Sequence, residues 1–263
     1  MNKIAFILPA MLRDDLLKKS IKSLLKYKQN NWEIIIVDQG HIDSEKKQWA
    51  IDNLDKINFF NLPFNSGLSA CRNFGIKRAN DFYCDYTIIA SDSFLFNESI
   101  LKLNQVIELL KTSQWQKIGF ELWNCICRWE GQLKLIPKQS FNLNFINSEI
   151  PHDYYDNIPI WNVDICRNFY IATTKSLLNV PFDENLKCME HEDQAYRYSQ
   201  LYNTLWTNII TATKMTDRPN EYKQFRDENM REGRKYLKNK WNIKDWITYQ
   251  NLNLAKINLT NPS

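Results

Sequence analysis

Short apolar segments alternate with amphipathic segments through the first ninety residues, and this alternation constrains the fold more than any other feature. The continuous apolar segments, which predict buried strands, cover residues 3–8, 33–37, 57–62 and 86–90. The segments with apolar residues at helical spacing cover residues 15–28, 44–53 and 66–79. Strands and helices that alternate at these lengths form a parallel sheet with helices on both faces. The sequence therefore predicts an α/β fold with a mostly parallel central sheet.

The second half of the chain follows a weaker pattern. Beyond about residue 112 the aromatic residues become dense, and antiparallel or mixed strands are expected near 115–122 and 132–136. The helices expected in this half cover 193–202 and 220–240. A loop at 181–192 is expected before the first of them, and Gly233 is expected to interrupt the second.

Composition places the chain among soluble globular proteins, because 44% of its 263 residues are hydrophobic and 24% are charged. Six glycines and eight prolines leave no flexible linker, so one domain is favoured. The apolar runs are far shorter than the roughly 20 residues that span a bilayer, and residues 13–15 are already charged. We therefore expect no membrane span, no secretory signal and a cytoplasmic location.

The six cysteines include one C-x-C pair, Cys125 and Cys127, but none of the C-x-x-C pairs typical of zinc sites. Scattered spacing in a chain without a predicted secretory signal favours reduced thiols. A zinc or disulfide role for Cys125 and Cys127 is the alternative.

The net charge of +4 is concentrated in residues 218–244, which hold nine basic and four acidic side chains. A nucleic-acid-binding protein needs basic residues spread along a whole face, so nucleic acid is not an expected partner. Apolar residues at helical spacing run through the same segment, which therefore predicts an amphipathic helix with a solvated basic face. Contact with a phosphate group and peripheral attachment to an anionic membrane surface are the alternatives.

Polar clusters follow the predicted strands, at the end of a parallel sheet where ligands bind. These clusters, which we expect to converge on one crevice, cover residues 9–13, 38–41, 65–72 and 91–93. Asp38 is suited either to accept hydrogen bonds from a nucleotide base or to cap a turn. Gly67 supplies a small turn at a helix start and Arg72 follows inside that helix, an arrangement that suits a pyrophosphate.

Two further clusters contain carboxylates suited to catalysis. Asp92 follows a strand and is suited to hold a divalent cation between two phosphates, or alternatively to cap the next turn. The run 190–193 holds three acidic residues and a histidine ahead of a predicted helix. Adjacent carboxylates repel one another and raise their pKa values, which suits a general base. The alternative for Glu192 and Asp193 is plain negative charge at a helix amino terminus.

Taken in this order, the clusters resemble the motifs of the GT-A glycosyltransferases, specifically the inverting family 2-like enzymes. Within that group, the segments most similar to the β-1,4-N-acetylgalactosaminyltransferase branch, which includes ganglioside-synthesising enzymes, are 12–15, 37–38, 70–73, 91–96, 163–172, 186–187 and 190–193. The resemblance covers about residues 3–200 and implies the Rossmann-like GT-A sheet. The expected parts are a GT-A domain at 1–215, with a nucleotide-binding half at 1–112 and an acceptor-binding half at 113–215, and a basic helical extension at 216–263.

The resemblance also implies roles for single residues. The positions that it implies for nucleotide binding are Pro9, Arg13, Asp38, Gly67, Arg72 and Asp92. Asp193 falls where such enzymes keep the catalytic base, with Glu192 beside it for acceptor hydroxyls. Trp161, whose neighbours Pro159 and Asn162 favour an exposed loop, is expected to stack on an acceptor sugar.

One departure from the family pattern concerns the metal. Such relatives carry Asp-Asp-Asp or Asp-x-Asp where this chain has Ser91, Asp92 and Ser93, so the two outer carboxylates are missing. The expected cofactor is a divalent cation, Mn²⁺ or Mg²⁺, held by Asp92, the diphosphate, waters and His191. The alternatives are that basic residues, Arg72 and one from the carboxy-terminal segment, replace the cation or that catalysis has been lost.

These expectations describe an inverting glycosyltransferase. A sugar such as GalNAc, GlcNAc or Gal would pass from a UDP-linked donor to a glycan or lipid-linked acceptor, as in surface polysaccharide synthesis, by single displacement. Asp193 would take the proton of the acceptor hydroxyl. The alternative is a non-catalytic nucleotide-sugar-binding domain. A nucleotidyltransferase is disfavoured because no glycine-rich loop follows the first strand.

Overall fold

The computed structural model describes residues 2–112, 114–125, 130–217 and 219–248, apart from the side chains of residues 247 and 248. Cys127 and residue 218 of the basic segment lie outside the described residues. The elements of the first half are β1 (Ile4–Ala10), α1 (Asp14–Leu25), β2 (Trp32–Asp38), α2 (Ser44–Ile51), β3 (Asn58–Asn61), α3 (Leu68–Asp81), β4 (Tyr86–Ile89), β5 (Phe94–Phe96), a 3-10 turn (Glu98–Lys102) and α4 (Leu103–Lys111).

The described residues of the second half form eight strands and three helices. Its elements are β6 (Lys117–Trp123), β7 (Gly131–Ile136), β8 (Ser140–Phe145), β9 (Asp153–Tyr155), β10 (Ile158–Val163), β11 (Tyr170–Thr173), α5 (Thr174–Asn179), α6 (Glu190–Ser199), β12 (Thr204–Lys214), α7 (Asn220–Lys240) and β13 (Asp245–Thr248).

The main sheet has the strand order β3-β2-β1-β4-β11-β6-β12-β10-β9, and β5 pairs with β12. Strands β1 to β4 of the amino-terminal half pair in parallel, as their alternation with helices predicts, whereas β5 pairs antiparallel with β12. In the other half β6 and β12 are parallel, whereas β11 and β10 pair antiparallel with their neighbours. The predicted α/β class is therefore confirmed, and parallel pairing is concentrated in the amino-terminal half.

Two apolar cores cover the two faces of the sheet, because alternate side chains of a strand point to opposite sides. Phe6 and Leu8 of β1 lie in the core that α1 and α4 cover, whereas Ala5 and Ile7 lie in the core that α3, α5 and α6 cover. All seven residues of β1 are buried, as expected for a central strand of a covered parallel sheet. Burial of each large apolar side chain contributes about 1.5–3 kcal/mol to folding.

Helix α6 begins three residues earlier than predicted, at Glu190 instead of Asp193. Met189 adopts a left-handed backbone conformation, with φ of 67°, and so ends the preceding loop. The acidic residues Glu190, Glu192 and Asp193 consequently lie in the first helical turn, where the helix dipole stabilises negative charge.

Helix α7 runs through Gly233 without interruption, so the predicted break is wrong. A glycine in a helix costs about 1 kcal/mol relative to alanine. Here a Cβ atom at position 233 would lie 2.6 Å from the carbonyl oxygen of Cys188, so the missing side chain lets α7 approach the loop before α6. Strand β13 then joins β8 and β7 in a second sheet. The described part of the carboxy-terminal extension is therefore built into the fold.

None of the helices in the described part of the chain is both long and apolar enough to cross a membrane.

Candidate active site

A pocket opens at the carboxyl end of β1, between the first loop, the start of α3 and α7. Its volume is about 370 Å³, including its open mouth. The residues that line it are Pro9, Ala10, Met11, Arg13, Gln39, Gly67, Leu68, Lys187, Cys188, Tyr222, Arg226 and Asn229. Three residues predicted for nucleotide binding, Pro9, Arg13 and Gly67, are therefore brought together here.

Arg13 is fixed between a carboxylate and an aromatic ring. Its Nε donates a hydrogen bond of 3.1 Å to Asp92, and its Nη2 forms an ion pair with the other carboxylate oxygen. On its other side, the guanidinium carbon lies 4.1 Å from the ring centre of Tyr222, which belongs to α7. Asp92 is fully buried just beyond β4, and it also accepts a hydrogen bond of 3.0 Å from Ser91. Burial raises the pKa of Asp92, although the Arg13 charge opposes this shift.

Asp38, the predicted base-recognition residue, lies at the end of β2 with its carboxylate fully buried. Its Oδ1 accepts a hydrogen bond of 2.6 Å from the backbone N–H of Gly40, and its Oδ2 lies 2.5 Å from Nζ of Lys46. Lys46 is also buried, and the same Nζ lies 2.7 Å from Asp14. Burial raises the pKa of Asp38, with Lys46 opposing the shift. Asp38 is thus held by Lys46 and Gly40, and its neighbour Gln39 lines the pocket.

The turn at Gly67 is held by residues from distant parts of the chain. Its backbone N–H donates to Oε1 of Gln39 at 2.5 Å. Gly67 has φ of 98°, and a Cβ atom there would lie 2.7 Å from Lys187, so only glycine fits without strain. Asn229 of α7 donates a hydrogen bond of 2.9 Å to Asn65, two residues before Gly67. The turn therefore joins β2, the loop before α6, and α7.

Arg72 does not line the pocket, contrary to the prediction that it lies beside the nucleotide. It is buried within α3 and forms an ion pair with Glu190 of α6. Glu190 also accepts a hydrogen bond of 3.3 Å from Asn168, whose Oδ1 lies 2.8 Å from Nδ1 of His191. Arg72 is held away from the pocket by its ion pair with Glu190, which joins α3 to α6.

Asp193, the predicted base, is fully buried and held by three donors. Arg197 lies 2.9 Å from its Oδ2, whereas Lys240 and the indole N–H of Trp241 lie 2.7 and 3.1 Å from its Oδ1. Both carboxylate oxygens are therefore occupied in this arrangement.

Glu192, the neighbour of Asp193, is held differently. Glu192 is 3% exposed, and its carboxyl group forms none of the ion pairs found among the described residues. Burial raises the pKa of Glu192 to about 8, with smaller opposing effects from its own backbone N–H and from Arg234. Cys188 lines the pocket, and the charges of both Glu192 and Arg226 act on the pKa of its thiol, so these side chains lie near one another. A carboxyl group with a pKa near neutrality and close to a pocket is suited to proton transfer.

The predicted metal ligands do not fit a cation in this arrangement. Both carboxylate oxygens of Asp92 are bonded to Arg13, and the hydroxyls of Ser91 and Ser93 are neutral. The other predicted ligand, His191, does not line the pocket, and its Nδ1 is bonded to Asn168; burial lowers the pKa of its ring to about 3 and so keeps the ring neutral. Across the described residues, no three His, Cys, Asp or Glu side chains cluster in a way that could hold a metal ion.

Trp161, the predicted sugar-stacking residue, does not lie in an exposed loop. It belongs to β10, is 1% exposed and donates its indole N–H to the carbonyl oxygens of Asn147 and Ile150. Strand β10 lies inside the sheet, because it pairs with both β9 and β12. Its side chains alternate between the two faces of the sheet, and Trp161 packs in the apolar core on one of them. The prediction for Trp161 is therefore wrong.

Sequence reasoning missed several residues of the site. These are Lys46, which binds Asp38, and the pocket residues Lys187, Tyr222, Arg226 and Asn229. The sequence offered one partial signal, since a phosphate contact was an alternative for the basic segment. Nothing local distinguishes Arg226 from the other basic residues of α7, because only the packing of α7 brings it to the pocket.

The comparison with family models agrees with this geometry. The match to the family described as glycosyl transferase family 2 covers residues 5–108, which include β1 to β4 and the first loop. This part of the chain matches a family 2 glycosyltransferase domain. An uncharacterized glycosyltransferase of Haemophilus influenzae is 24% identical over 85% of this chain. An uncharacterized glycosyltransferase of Rickettsia conorii is 35% identical over 38% of this chain.

Solved structures share the fold of this chain at low sequence identity. Residues 1–349 of TarS from S. aureus, in complex with UDP, superpose with a TM-score of 0.56 at 15% identity over 85% of this chain. GalNAc-T7 with UDP, GalNAc and Mn²⁺ gives a TM-score of 0.63 at 10% identity over 82% of this chain. A mannosyltransferase from Pyrobaculum calidifontis, in complex with GDP-Man and Mn²⁺, gives 0.57 at 13% identity over 83%. These neighbours identify the central sheet with its helices as a GT-A fold.

Coverage of the relatives differs widely. The chain spans 84% of the Haemophilus relative but only 16% of the Rickettsia relative. It spans 63% of the TarS fragment, 44% of GalNAc-T7 and 58% of the mannosyltransferase.

Proposed function

We propose that this chain is a glycosyltransferase that binds a nucleoside diphosphate sugar in the pocket at the end of β1. The observation that carries the proposal is the pocket itself, which joins the first loop, the Gly67 turn and α7 at the carboxyl ends of parallel strands. The family 2 match covers the same strands, and three structural neighbours contain UDP or GDP-Man. The donor that the resemblance favours is UDP-linked GalNAc, GlcNAc or Gal.

The reaction proposed is a single displacement with inversion. The oxygen of an acceptor hydroxyl forms a bond to the anomeric carbon, and the bond from that carbon to the diphosphate oxygen breaks. The electron pair leaves with the nucleoside diphosphate, and the hydroxyl proton passes to a carboxylate of the protein. Of the two candidate bases, we favour Glu192, because Asp193 is held by Arg197, Lys240 and Trp241.

Asp193 supports this role indirectly in our proposal. Its ion pair with Lys240 of α7 holds the first turn of α6 in place, and Glu192 belongs to that turn. Asp38 remains the proposed recognition residue for the nucleotide base, with Lys46 holding its carboxylate in place. Mn²⁺ or Mg²⁺, the cofactor that the resemblance implies, does not fit the donor set around Asp92, so no step is assigned to it.

The acceptor proposed is a glycan or a lipid-linked sugar, as in synthesis of a surface polysaccharide. Trp123 and Tyr154 are large aromatic residues that remain exposed in the second half, at 55% and 63%, and flat rings of this kind stack on sugar faces. The basic face of α7 would suit an anionic membrane surface near such an acceptor.

A non-catalytic nucleotide-sugar-binding domain is the second candidate. The observation that favours it is that the predicted metal ligand Asp92 and the predicted base Asp193 are both held in ion pairs. In that case donors would bind without being turned over.

The test combines binding with turnover. The purified chain is assayed with UDP-GalNAc, UDP-GlcNAc, UDP-Gal and GDP-Man for a rise in Tm and for release of nucleoside diphosphate. We expect Glu192→Gln to lower turnover by about 100-fold or more while donors still raise Tm. The matched control is Glu108→Gln, because the Glu108 side chain on α4 is 61% exposed and its ion pair among the described residues is with Lys111.

The outcomes separate the two candidates. Full turnover by Glu192→Gln contradicts the assignment of the base. Binding without turnover by the unsubstituted chain, with every donor and with Mn²⁺ present, supports the non-catalytic domain. A chain that binds none of the nucleotides contradicts both.

A further inference from the structure

The walls of the pocket carry positive charge and no acidic residue. Three cationic residues line it: Arg13 from the first loop, Lys187 from the loop before α6, and Arg226 from α7. The other lining residues are neutral, and Asp92 lies behind Arg13 instead of in the wall. An anion is therefore the ligand whose charge complements this pocket.

The three cations differ in how much of their charge is already neutralised. Arg13 is neutralised by Asp92, with which it forms two bonds. Arg226 lies 3.9 Å from Asp227, a long contact on an exposed side chain pair. Lys187 is in none of the ion pairs formed by the described residues. Lys187 and Arg226 therefore bring charge to the pocket that is less neutralised than that of Arg13, and an arginine fork suits two phosphate oxygens at once.

Helix α7 holds Arg226 and Tyr222 firmly against the first half of the chain. Phe225 packs edge-on against Phe64 at 5.1 Å between ring centres, and Asn229 is bonded to Asn65. Toward the end of the helix, Leu237 is completely buried. The ring of Tyr222 covers the guanidinium of Arg13 on the side opposite Asp92. Contacts on both sides of Arg226 thus fix its backbone at the pocket.

A divalent cation and Arg13 would compete for the same carboxylate. Asp92 is the acid at the strand end, and Arg13 holds both of its oxygens. A cation there would need Arg13 to leave a buried carboxylate, and the neighbouring Ser91 and Ser93 hydroxyls would add no charge to hold it. In place of a cation, the basic side chains of Arg13, Lys187 and Arg226 supply positive charge at the pocket.

We propose that Arg13, Lys187 and Arg226 bind the diphosphate of the donor directly, so that nucleotide binding needs no bridging metal ion. Helix α7 thereby becomes part of the donor site and supplies a phosphate-binding residue from the carboxy-terminal segment. This inference rests on the proposed function, since it names the residues that would hold the donor of that reaction.

The first measurement is the Kd of UDP for the full chain by isothermal titration calorimetry, once with EDTA and once with Mn²⁺. GDP, UMP and inorganic pyrophosphate are titrated in the same way, so that the base and the second phosphate are tested separately. We expect the Kd of UDP to agree within about threefold between EDTA and Mn²⁺, and UDP to bind about tenfold or more tightly than UMP.

The second measurement uses Arg226→Gln and its control Arg231→Gln. Arg231 is another α7 arginine, with a side chain that is 78% exposed and absent from the pocket. We expect Arg226→Gln to weaken UDP binding by about tenfold in EDTA, with little effect on UMP, and Arg231→Gln to leave both unchanged. Arg226→Lys keeps the charge and is expected to recover part of the affinity. The salt dependence of UDP binding by the unsubstituted chain provides a readout that needs no variant, since direct ion contacts weaken as salt rises.

The outcomes distinguish this inference from the proposed function. UDP binding that requires Mn²⁺ and ignores Arg226→Gln overturns the direct contact but leaves a glycosyltransferase possible. A chain that binds neither UDP nor GDP with EDTA or with Mn²⁺ contradicts the proposed function, and the inference fails with it. Tight binding in EDTA that Arg226→Gln weakens supports both.

Discussion

The ammonium group of Lys240, at the end of α7, lies 2.7 Å from Oδ1 of Asp193 in the first turn of α6. The same nitrogen lies 2.6 Å from Asp183 in the loop before that helix, and Tyr236 donates a hydrogen bond of 2.9 Å to the same carboxylate. Burial alone would raise the pKa of Asp183, but its bonds to Lys240, Tyr236 and Asn185 lower it to about 2. One lysine therefore ties the loop and the acidic turn to α7.

Removal of this lysine is expected to destabilise the fold. Lys240→Met leaves Asp193 buried with two donors instead of three, and we expect the free energy of unfolding to fall by about 1–3 kcal/mol near pH 7. Because the folded-state pKa of Asp183 is depressed, its part of the effect is complete above the ordinary Asp pKa of about 4 and is lost as pH falls toward 2. Urea unfolding between pH 2 and 7 measures the loss. Lys238→Met, on the exposed side of α7, is the control and should change little.

Substitution of Glu192 is expected to change the pH dependence of stability. The folded-state pKa of this group is raised to about 8, so the folded protein binds more protons than the unfolded chain between about pH 4 and 8. Glu192 therefore lowers stability as pH rises through that range. Glu192→Gln removes this cost, and we expect its Tm to exceed that of the parent by about 5 °C at pH 9 and to match it near pH 4. Equal Tm differences at both pH values would contradict a raised pKa.

The rate of turnover should follow the same group. If Glu192 is the base, only its ionised form accepts the acceptor proton, so kcat/KM is expected to rise with pH and to level off above about pH 8. Initial rates from pH 5.5 to 9.5 measure the profile. Asp193→Asn should lower Tm and move this rise slightly toward lower pH, because the charge of Asp193 contributes to the raised pKa of Glu192. Turnover that is lost in Asp193→Asn at every pH but retained in Glu192→Gln would assign the base to Asp193.

The effects of substituting Arg13 and Asp92 on the free energy of unfolding should not be additive, because the two side chains form an ion pair. Arg13→Gln leaves a fully buried carboxylate without its partner, and we expect a loss of about 3–5 kcal/mol in unfolding free energy. Asp92→Asn in the same chain removes the buried charge, so the double variant should be more stable than Arg13→Gln alone. A double-mutant cycle by urea unfolding checks this, and additive losses would mean that the two side chains do not interact.

Close approach of α7 to the loop before α6 depends on Gly233. Gly233→Ala raises helix propensity by about 1 kcal/mol, yet its Cβ would lie 2.6 Å from a backbone oxygen of Cys188. We expect the clash to move α7 away from the pocket, to lower Tm and to weaken UDP binding through Arg226. Glu232→Ala, at an exposed position of the same helix, should leave both quantities unchanged. A more stable Gly233→Ala variant would contradict the tight contact.

The sequence predicted the parts of the fold that depend on local patterns. The parallel strands could be read from continuous apolar runs, because a strand buried on both faces leaves no polar alternation. Trp161 was misplaced because Pro159 and Asn162 suggested a loop. In the structure Pro159 lies within β10, and its carbonyl accepts a hydrogen bond of 2.9 Å from Thr207, a partner 48 residues away.

The candidate site was predictable only where its residues follow strand ends. Pro9, Arg13 and Gly67 line the pocket because the carboxyl ends of parallel strands meet at one edge. The ion pair of Arg72 could not be predicted because its partner Glu190 lies 118 residues further along the chain. Arg226 could not be singled out because its position depends on how α7 packs against Phe64 and Asn65, which no local pattern records.

The contact between Tyr222 and Arg13 also has a consequence for biosynthesis. The two residues are far apart in the sequence, and their contact joins the first loop to α7. During translation Arg13 leaves the ribosome more than two hundred residues before Tyr222, whose ring covers it. The strands of the amino-terminal half can pair early, but the pocket wall is finished only when α7 docks. A nascent fragment that ends before α7 would therefore contain the segment that matches glycosyl transferase family 2 but would lack the part of the pocket wall that Tyr222 and Arg226 supply.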